Sequence, residues 1–228
     1  MSFPKFAIFD MDGLLFDTEN IFMRHLHEVQ TSYGYPATVE DYIKTLGTNG
    51  SNLKRICTEI YGEDYPHEEI SHIAAENTRD YIDKNGLDLK PGISSLLNLF
   101  RENAIPCCVA SSSKQESVKH HLEVAGIYDY FKFIIGGDTI NNCKPDPEIF
   151  LKAYEQMKNH AIEDISVKDG IIFEDSENGI LAAHAAGIPV ICIPDLKYPD
   201  EKIAKLPVHI FNSAVKVTEF YLNSSENV

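Results

Sequence analysis

No stretch of the 228-residue chain approaches the roughly 18 consecutive apolar residues that a membrane-spanning helix needs. The amino terminus lacks a secretory pattern. Met1-Ser2-Phe3-Pro4-Lys5 runs straight into Phe6-Ala7-Ile8-Phe9 and the acidic Asp10, with no long apolar core and no small-residue cleavage site. A cytoplasmic location is the expectation. No C-x-x-C pair occurs among Cys57, Cys107, Cys108, Cys143 and Cys192. Neighbours such as Cys107 and Cys108 point to opposite faces of a strand, so burial suits them better than bridging. No basic run occurs either: 20 Lys and Arg stand against 35 Asp and Glu, a net charge of −15. Such a surface repels nucleic acid and other polyanions. It also repels a small phosphorylated substrate, so a phosphate site here needs concentrated local positive charge. Internal repeats and low-complexity segments are absent.

What remains is a globular composition, 43% hydrophobic and 24% charged, long enough for one large domain or two small ones. Short apolar runs read as strands: Phe6–Phe9, Ile105–Ala110, Phe131–Ile135, Ile171–Phe173, Val190–Ile193 and the weaker Val208–Phe211. Helical patterns lie between them, at Ser117–Val124, Glu148–Met157 and Gly179–Ala186, the last stopped by Gly187 as a C-cap. Strands alternating with helices predict an α/β fold, a Rossmann-like, doubly wound, mostly parallel sheet. From about Thr18 to Lys90 the alternation fails. Four helical stripes follow one another there, with Thr38-Val-Glu-Asp41 opening the second as a capping box. The expected organisation is an α/β core of residues 1–17 and 91–228 with an inserted all-helical cap of residues 18–90. The tail from Ser224 is expected to fray.

The most informative stretch is Asp10-Met11-Asp12-Gly13. Carboxylates at i and i+2 of an extended chain share a side, and these sit where a strand ends. In open parallel sheets that edge binds ligands. Two close acids repel, so one holds a proton or a cation lies between them. A strand-end turn with solvated acids gives the same spelling. Later segments add to the signal: Val109-Ala-Ser111-Ser112-Ser113, Lys144-Pro-Asp146-Pro-Glu148-Ile-Phe150, and Phe173-Glu174-Asp175-Ser176-x-Asn178-Gly179. Each lies at a predicted strand end or opens a helix.

Together with Asp17, these segments resemble the haloacid dehalogenase-like hydrolases, in particular the phosphatases and β-phosphoglucomutase-like enzymes with a small helical cap. The resemblance covers nearly the whole chain. It implies that Asp10 is the nucleophile that becomes an aspartyl-phosphate, and that Asp12 is the general acid and then base. Ser111 would bond a phosphoryl oxygen, and Lys144 would place a fixed positive charge beside Asp10. Asp10, the Asp12 backbone carbonyl, Asp175 and Glu174 would hold Mg2+. Ser112, Asn49 and Gly50 are candidate substrate-binding residues, and Asp17 is a supporting turn residue at the cap hinge. The histidines, including His25, His27, His67, His72, His120 and His121, read as structural.

An acid at Asp12 favours phosphate-ester chemistry over dehalogenation, because a halide leaves unprotonated. The resemblance to β-phosphoglucomutase is incomplete. Where that enzyme carries a cap histidine and a cap arginine, an ungapped alignment places Phe22 and Gly50. The leading expectation is therefore a monomeric, Mg2+-dependent phosphatase of small phosphorylated metabolites such as sugar phosphates or nucleotide monophosphates. A phosphosugar mutase and a non-catalytic binding protein are the alternatives. No nucleic-acid or membrane partner is expected.

Overall fold

The computed structural model describes residues 2–45, 50–160 and 164–225. The chain divides into two compact units, Met1–Phe16 with Leu87–Val228, and Asp17–Gly86. No described helix is long and apolar enough to cross a membrane.

The smaller unit is helical: α1 (Thr18–Ser32), α2 (Val39–Thr45), α3 (Gly50–Tyr61) and α4 (His67–Asn85). Val29 of α1 packs on Ile70 and Ala74 of α4, with Phe22, Leu26 and Ile73 around them. The predicted capping box forms: Asp41 N–H donates to Thr38 Oγ1 (3.2 Å), and Thr38 N–H donates to Asp41 Oδ2 (3.2 Å). His25 is buried and its Nδ1 lies 3.0 Å from Thr78 Oγ1.

The larger unit holds one sheet: β1 (Phe6–Phe9), β2 (Cys107–Ser111), β3 (Phe131–Gly136), β4 (Gly170–Glu174), β5 (Val190–Cys192) and β6 (His209–Ile210). All pairings are parallel and the spatial order is β3-β2-β1-β4-β5-β6. That is the doubly wound order, which reverses direction beside β1. Its helices are α5 (Ile93–Glu102), α6 (Gln115–Val124), α7 (Glu148–His160), α8 (Glu177–Ala186) and α9 (Ala214–Ser225).

Alternation divides the strand side chains between two layers. Ile8, Cys108, Ala110 and Ile172 join Phe150 and Met157 of α7 and Ile180 of α8 in one buried cluster. Phe9 turns the other way. It stacks on Phe173 at 4.7 Å and meets Phe100 of α5 at 6.2 Å, and Phe100 in turn meets Tyr221 of α9 at 5.5 Å. Phe9, Phe100 and Phe173 are fully covered, each contributing about 1.5–3 kcal/mol of burial. Cys107 and Cys108 are buried and unbridged.

Two helices were not anticipated. The stripe Ile93, Leu96, Leu97 and Phe100 forms α5, and Ala214, Val217 and Tyr221 form the buried side of α9. The expected fraying does not reach Ser224, which is helical and whose hydroxyl donates to Phe220 O at 2.8 Å.

Gly92 opens α5 with φ +89°, and a Cβ there would stand 2.2 Å from Val215 N and 2.7 Å from Ala214 C. Those are backbone atoms at the start of α9 and have little freedom to yield. Gly92→Ala should therefore lower stability by at least about 2 kcal/mol, measured as a shift in the urea midpoint at unchanged slope.

Candidate active site

Asp10 follows β1 directly, and its N–H still belongs to the sheet, donating to Phe173 O at 3.0 Å. Lys144 arrives from the segment preceding α7. Its Nζ donates to Asp10 Oδ1 (2.5 Å), to Glu174 Oε1 (2.6 Å) and to Ala110 O (3.2 Å). The same ammonium lies 4.8 Å from the centre of the Phe150 ring. β1, β2 and β4 therefore all present an oxygen to one buried cation. Burial pushes Asp10 from 3.8 up to about 7; Lys144 opposes the shift, while Glu174 and Asp12 add to it. Burial acts to lower the Lys144 pKa, but Asp10 and Glu174 outweigh it and the net shift is upward.

The segments around this ammonium are held by their own polar groups. Asp146 Oδ1 accepts the Glu148 N–H at 2.9 Å at the start of α7. Glu148 reaches back to the N–H groups of Asn141 (2.8 Å) and Asn142 (2.9 Å), fixing the segment that carries Lys144. Ser176 caps α8 by accepting the Gly179 N–H at 3.0 Å. Glu174 Oε2 accepts from Asp175 N, Ser176 N and Ser176 Oγ, each at 3.0 Å. Gly179 is required because a Cβ there would fall 1.8 Å from the Glu174 carboxylate.

Asp12 lies one turn further on, and its Oδ2 accepts from Ser113 Oγ (2.7 Å) and Ser111 Oγ (3.3 Å). Ser111, expected to bond a phosphoryl oxygen, here turns its hydroxyl to Asp12 and also accepts the Ser113 N–H at 3.1 Å. Ser113 makes the shorter bond to Asp12 and was missed. The signal available was the third serine of the Ser111-Ser112-Ser113 run. Ser112 is exposed, with its carbonyl packed against Gly137. Asn49 lies outside the described residues, and Gly50 begins α3 in the helical unit.

Gly13, at φ +78°, allows a close approach from another direction. A Cβ there would meet Asp175 Oδ2 at 2.3 Å and Asp195 Oδ2 at 3.2 Å. Asp195 was also missed. It pairs with Lys90, and both side chains are largely covered. Burial raises the Asp175 pKa well above its ordinary value, reinforced by Glu174 and Asp10 and opposed by Lys144, with Asp195 adding a further upward push.

The donor set bears on which ion fits. Among the described residues no three His, Cys, Asp or Glu side chains gather as a cage. Glu174, expected as a ligand, spends one oxygen on Lys144 and the other on the start of α8. These bonds hold it against Lys144 and the start of α8. What the geometry offers is Asp10 and Asp175, with Asp10 adding to the upward shift that burial gives Asp175, beside a backbone turn. Mg2+ keeps several waters and takes one or two carboxylates, so this oxygen-only set fits it, whereas a caged zinc site would need more ligands.

A family model described as haloacid dehalogenase-like hydrolase matches residues 7–193, which includes every strand end described above except that of β6. The chain belongs to this family. Among its relatives is the Thermotoga maritima phosphorylated carbohydrates phosphatase, 30% identical over 190 residues that cover 80% of this chain and 81% of the relative. The Pseudomonas aeruginosa phosphoglycolate phosphatase 1 is 29% identical over 189 residues, 81% of this chain and 67% of that protein. A solved β-phosphoglucomutase from Clostridium difficile superposes with a TM-score of 0.75 at 23% identity, covering 98% of this chain and 97% of the other. For this member of the family the hydrolase fold is therefore established over its full described length.

The raised Asp10 pKa has a consequence for folding. The folded state binds a proton at Asp10 more tightly than the unfolded chain does, so stability is lost as pH rises from 3.8 to about 7. Asp10→Asn removes that titration. Loss of the Lys144 partner lowers stability overall, but without divalent ions the variant should lose less stability than the parent as pH rises from about 4 to about 7. Parallel stability–pH curves from urea unfolding would contradict the raised pKa.

Proposed function

We propose that the protein is a Mg2+-dependent phosphoric monoester hydrolase acting on small phosphorylated metabolites through an aspartyl-phosphate on Asp10. The observation carrying this reading is Lys144 clamped between Asp10 and Glu174 at the carboxyl edge of the sheet. The Lys144 ammonium holds Asp10 Oδ1 and orients Oδ2 as the attacking oxygen. Attack forms the Asp10 Oδ2–P bond and breaks the ester P–O bond. Asp12, oriented by Ser113 and Ser111, gives its proton to the departing alcohol. It then takes a proton from the water that attacks phosphorus, and this second displacement frees phosphate and restores Asp10. Asp10, the Asp12 carbonyl and Asp175 would hold Mg2+, which supplies charge neutralisation of the phosphoryl oxygens when bound.

The relatives named for phosphatase activity support hydrolysis. Helices α1–α4 would serve as the cap, entered near Asp17–Thr18; the return at Lys90–Gly92, expected as the second hinge, is fastened to the larger unit, and Ser112, Asn49 and Gly50 stay candidates for gripping substrate. Residues within that helical unit favour a phosphatase over a mutase. Phe22 and Gly50 replace the histidine and arginine of the mutase pattern. A cavity of about 360 Å³ there is lined by aromatic and apolar groups, among them Phe22, Leu26, Tyr42, Tyr61 and Tyr65, together with Gln30, His67 and the carboxylate of Glu19, and no described lysine or arginine lines it. Such a lining offers no grip for a second phosphate.

Purified protein with Mg2+ should release phosphate from members of a panel of small phosphomonoesters and should fail to interconvert hexose phosphates. Asp10→Asn should cut phosphate release by at least about a thousandfold while the fold is retained. A chelator should abolish the activity, and added Mg2+ should restore it. Hexose phosphate interconversion without phosphate release would favour the mutase instead.

A further inference from the structure

Lys90 lies on the segment that follows the helical unit, and its backbone is fastened inside the larger unit. Its N–H donates to Leu15 O at 2.9 Å, and Leu89 bridges Phe16 beside it. Its ammonium pairs with Asp195, just past β5, and the two side chains are 22% and 10% exposed, so the pair is well shielded from water. Asp195 does not face away from the acids. Its Oδ2 and the Asp175 Oδ2 both press on the same point above Gly13. A surface ion pair would have no reason to sit over a glycine with positive φ and beside a carboxylate that is itself buried among acids.

We infer that Asp195 is a positioning residue for the divalent ion, acting on its water shell rather than as a direct ligand, and that Lys90 tempers it. This rests on the proposed Mg2+ site. Mg2+ retains water when bound by few carboxylates, and a second carboxylate at the Asp175 side is placed to accept a hydrogen bond from such a water. Groups in that role change metal affinity by about 10–100-fold when removed. Lys90 acts in the opposite sense. Its ammonium holds Asp195 in place and also partly cancels the charge that attracts the ion. The two residues therefore have opposite expected signs, which a structural brace would not give.

The test is direct binding of Mn2+, as a paramagnetic stand-in, to the metal-stripped full chain, followed by electron paramagnetic resonance, with Mg2+ competition. Asp195→Asn should weaken binding at least tenfold. Lys90→Met, which keeps the apolar stem, should tighten it by roughly threefold, the scale of removing one partly screened charge. At saturating Mg2+, KM for a phosphomonoester should stay near the parent value in both variants while the Mg2+ activation constant moves with the binding constant. Binding within twofold of the parent in both variants, or equal weakening in both, would overturn the inference and leave a brace. If Asp195→Asn does not fold, Lys90→Met decides alone: tighter binding supports the inference, and equal or weaker binding refutes it. A parent chain that binds no Mn2+ at all would instead remove the metal-dependent reading on which this stands.

Discussion

The Lys144 ammonium, enclosed by Asp10, Glu174 and the Ala110 carbonyl, is the constraint on which the rest of the site depends. A buried ion pair is a weak source of stability, because removing two charges from water costs about as much as their attraction returns. Deleting one partner is different, since the survivor is left charged in a dry setting, at a cost of about 3–5 kcal/mol. The arrangement is therefore easy to break and of little net benefit to folding. Its value lies in geometry. Three strand ends are drawn to one nitrogen, and the two carboxylates cannot drift without exposing a buried charge. Glu174 is secured on its other oxygen by Asp175, Ser176 and the start of α8. Among the described residues no comparable second set of bonds holds Asp10, the proposed nucleophile.

Charge explains why the same residues call for a cation. Asp12 and Glu174 push the Asp10 pKa up, Glu174, Asp10 and Asp195 push the Asp175 pKa up, and the ammoniums set among these acids are Lys144 and Lys90. Carboxylates outnumber ammoniums, so the cluster repels a phosphate dianion just as the surface of the whole chain does. Lys144 cannot correct this, since its charge is already matched by Asp10 and Glu174. Protonation of acids such as Asp10 and Asp175 relieves the repulsion at lower pH, and a divalent ion relieves it at neutral pH.

Much of the core was legible in the sequence because parallel strands buried on both faces spell short apolar runs. The runs at Phe6, Phe131, Ile171 and Val190 became strands within a residue or two, and Gly187 capped α8 with φ +71° as its position suggested. The helices α5 and α9 were missed for a local reason. α5 follows Pro91-Gly92, which reads as the close of the helical insertion, and α9 lies beyond the last apolar run, with polar residues between Ala214, Val217 and Tyr221. The site was legible through strand ends: Asp10, Asp12, Ser111, Lys144 and Asp175 were named from their motifs. Lys90, Ser113 and Asp195 were not, since their roles come from tertiary contacts 75 to 105 residues apart or from a hydroxyl direction that spacing does not encode. Glu174 reads as a metal ligand from its place beside Asp175, and its bond to Lys144 is visible only in the tertiary structure.

The position of the helical insertion follows from the same edge. The chain leaves the larger unit after Phe16 and re-enters it at Leu87. Both ends are tied to the turn that carries Asp12: Gly13 N–H donates to Phe16 O at 3.1 Å, Asp12 bridges Phe16, and Phe16 bridges Leu89. Inserting a unit between a nucleophile and the next strand would ordinarily loosen the turn that bears the acid, because loop closure becomes costlier with length. Pairing the outgoing and returning segments removes that penalty. The turn is closed by Phe16 and Leu89 whatever the helices do, so the insertion can vary in sequence without moving Asp12. Lys90, next in line, extends the same fastening to Asp195 and hence toward Asp175. The acids thus rest on backbone and ion pairs of the larger unit.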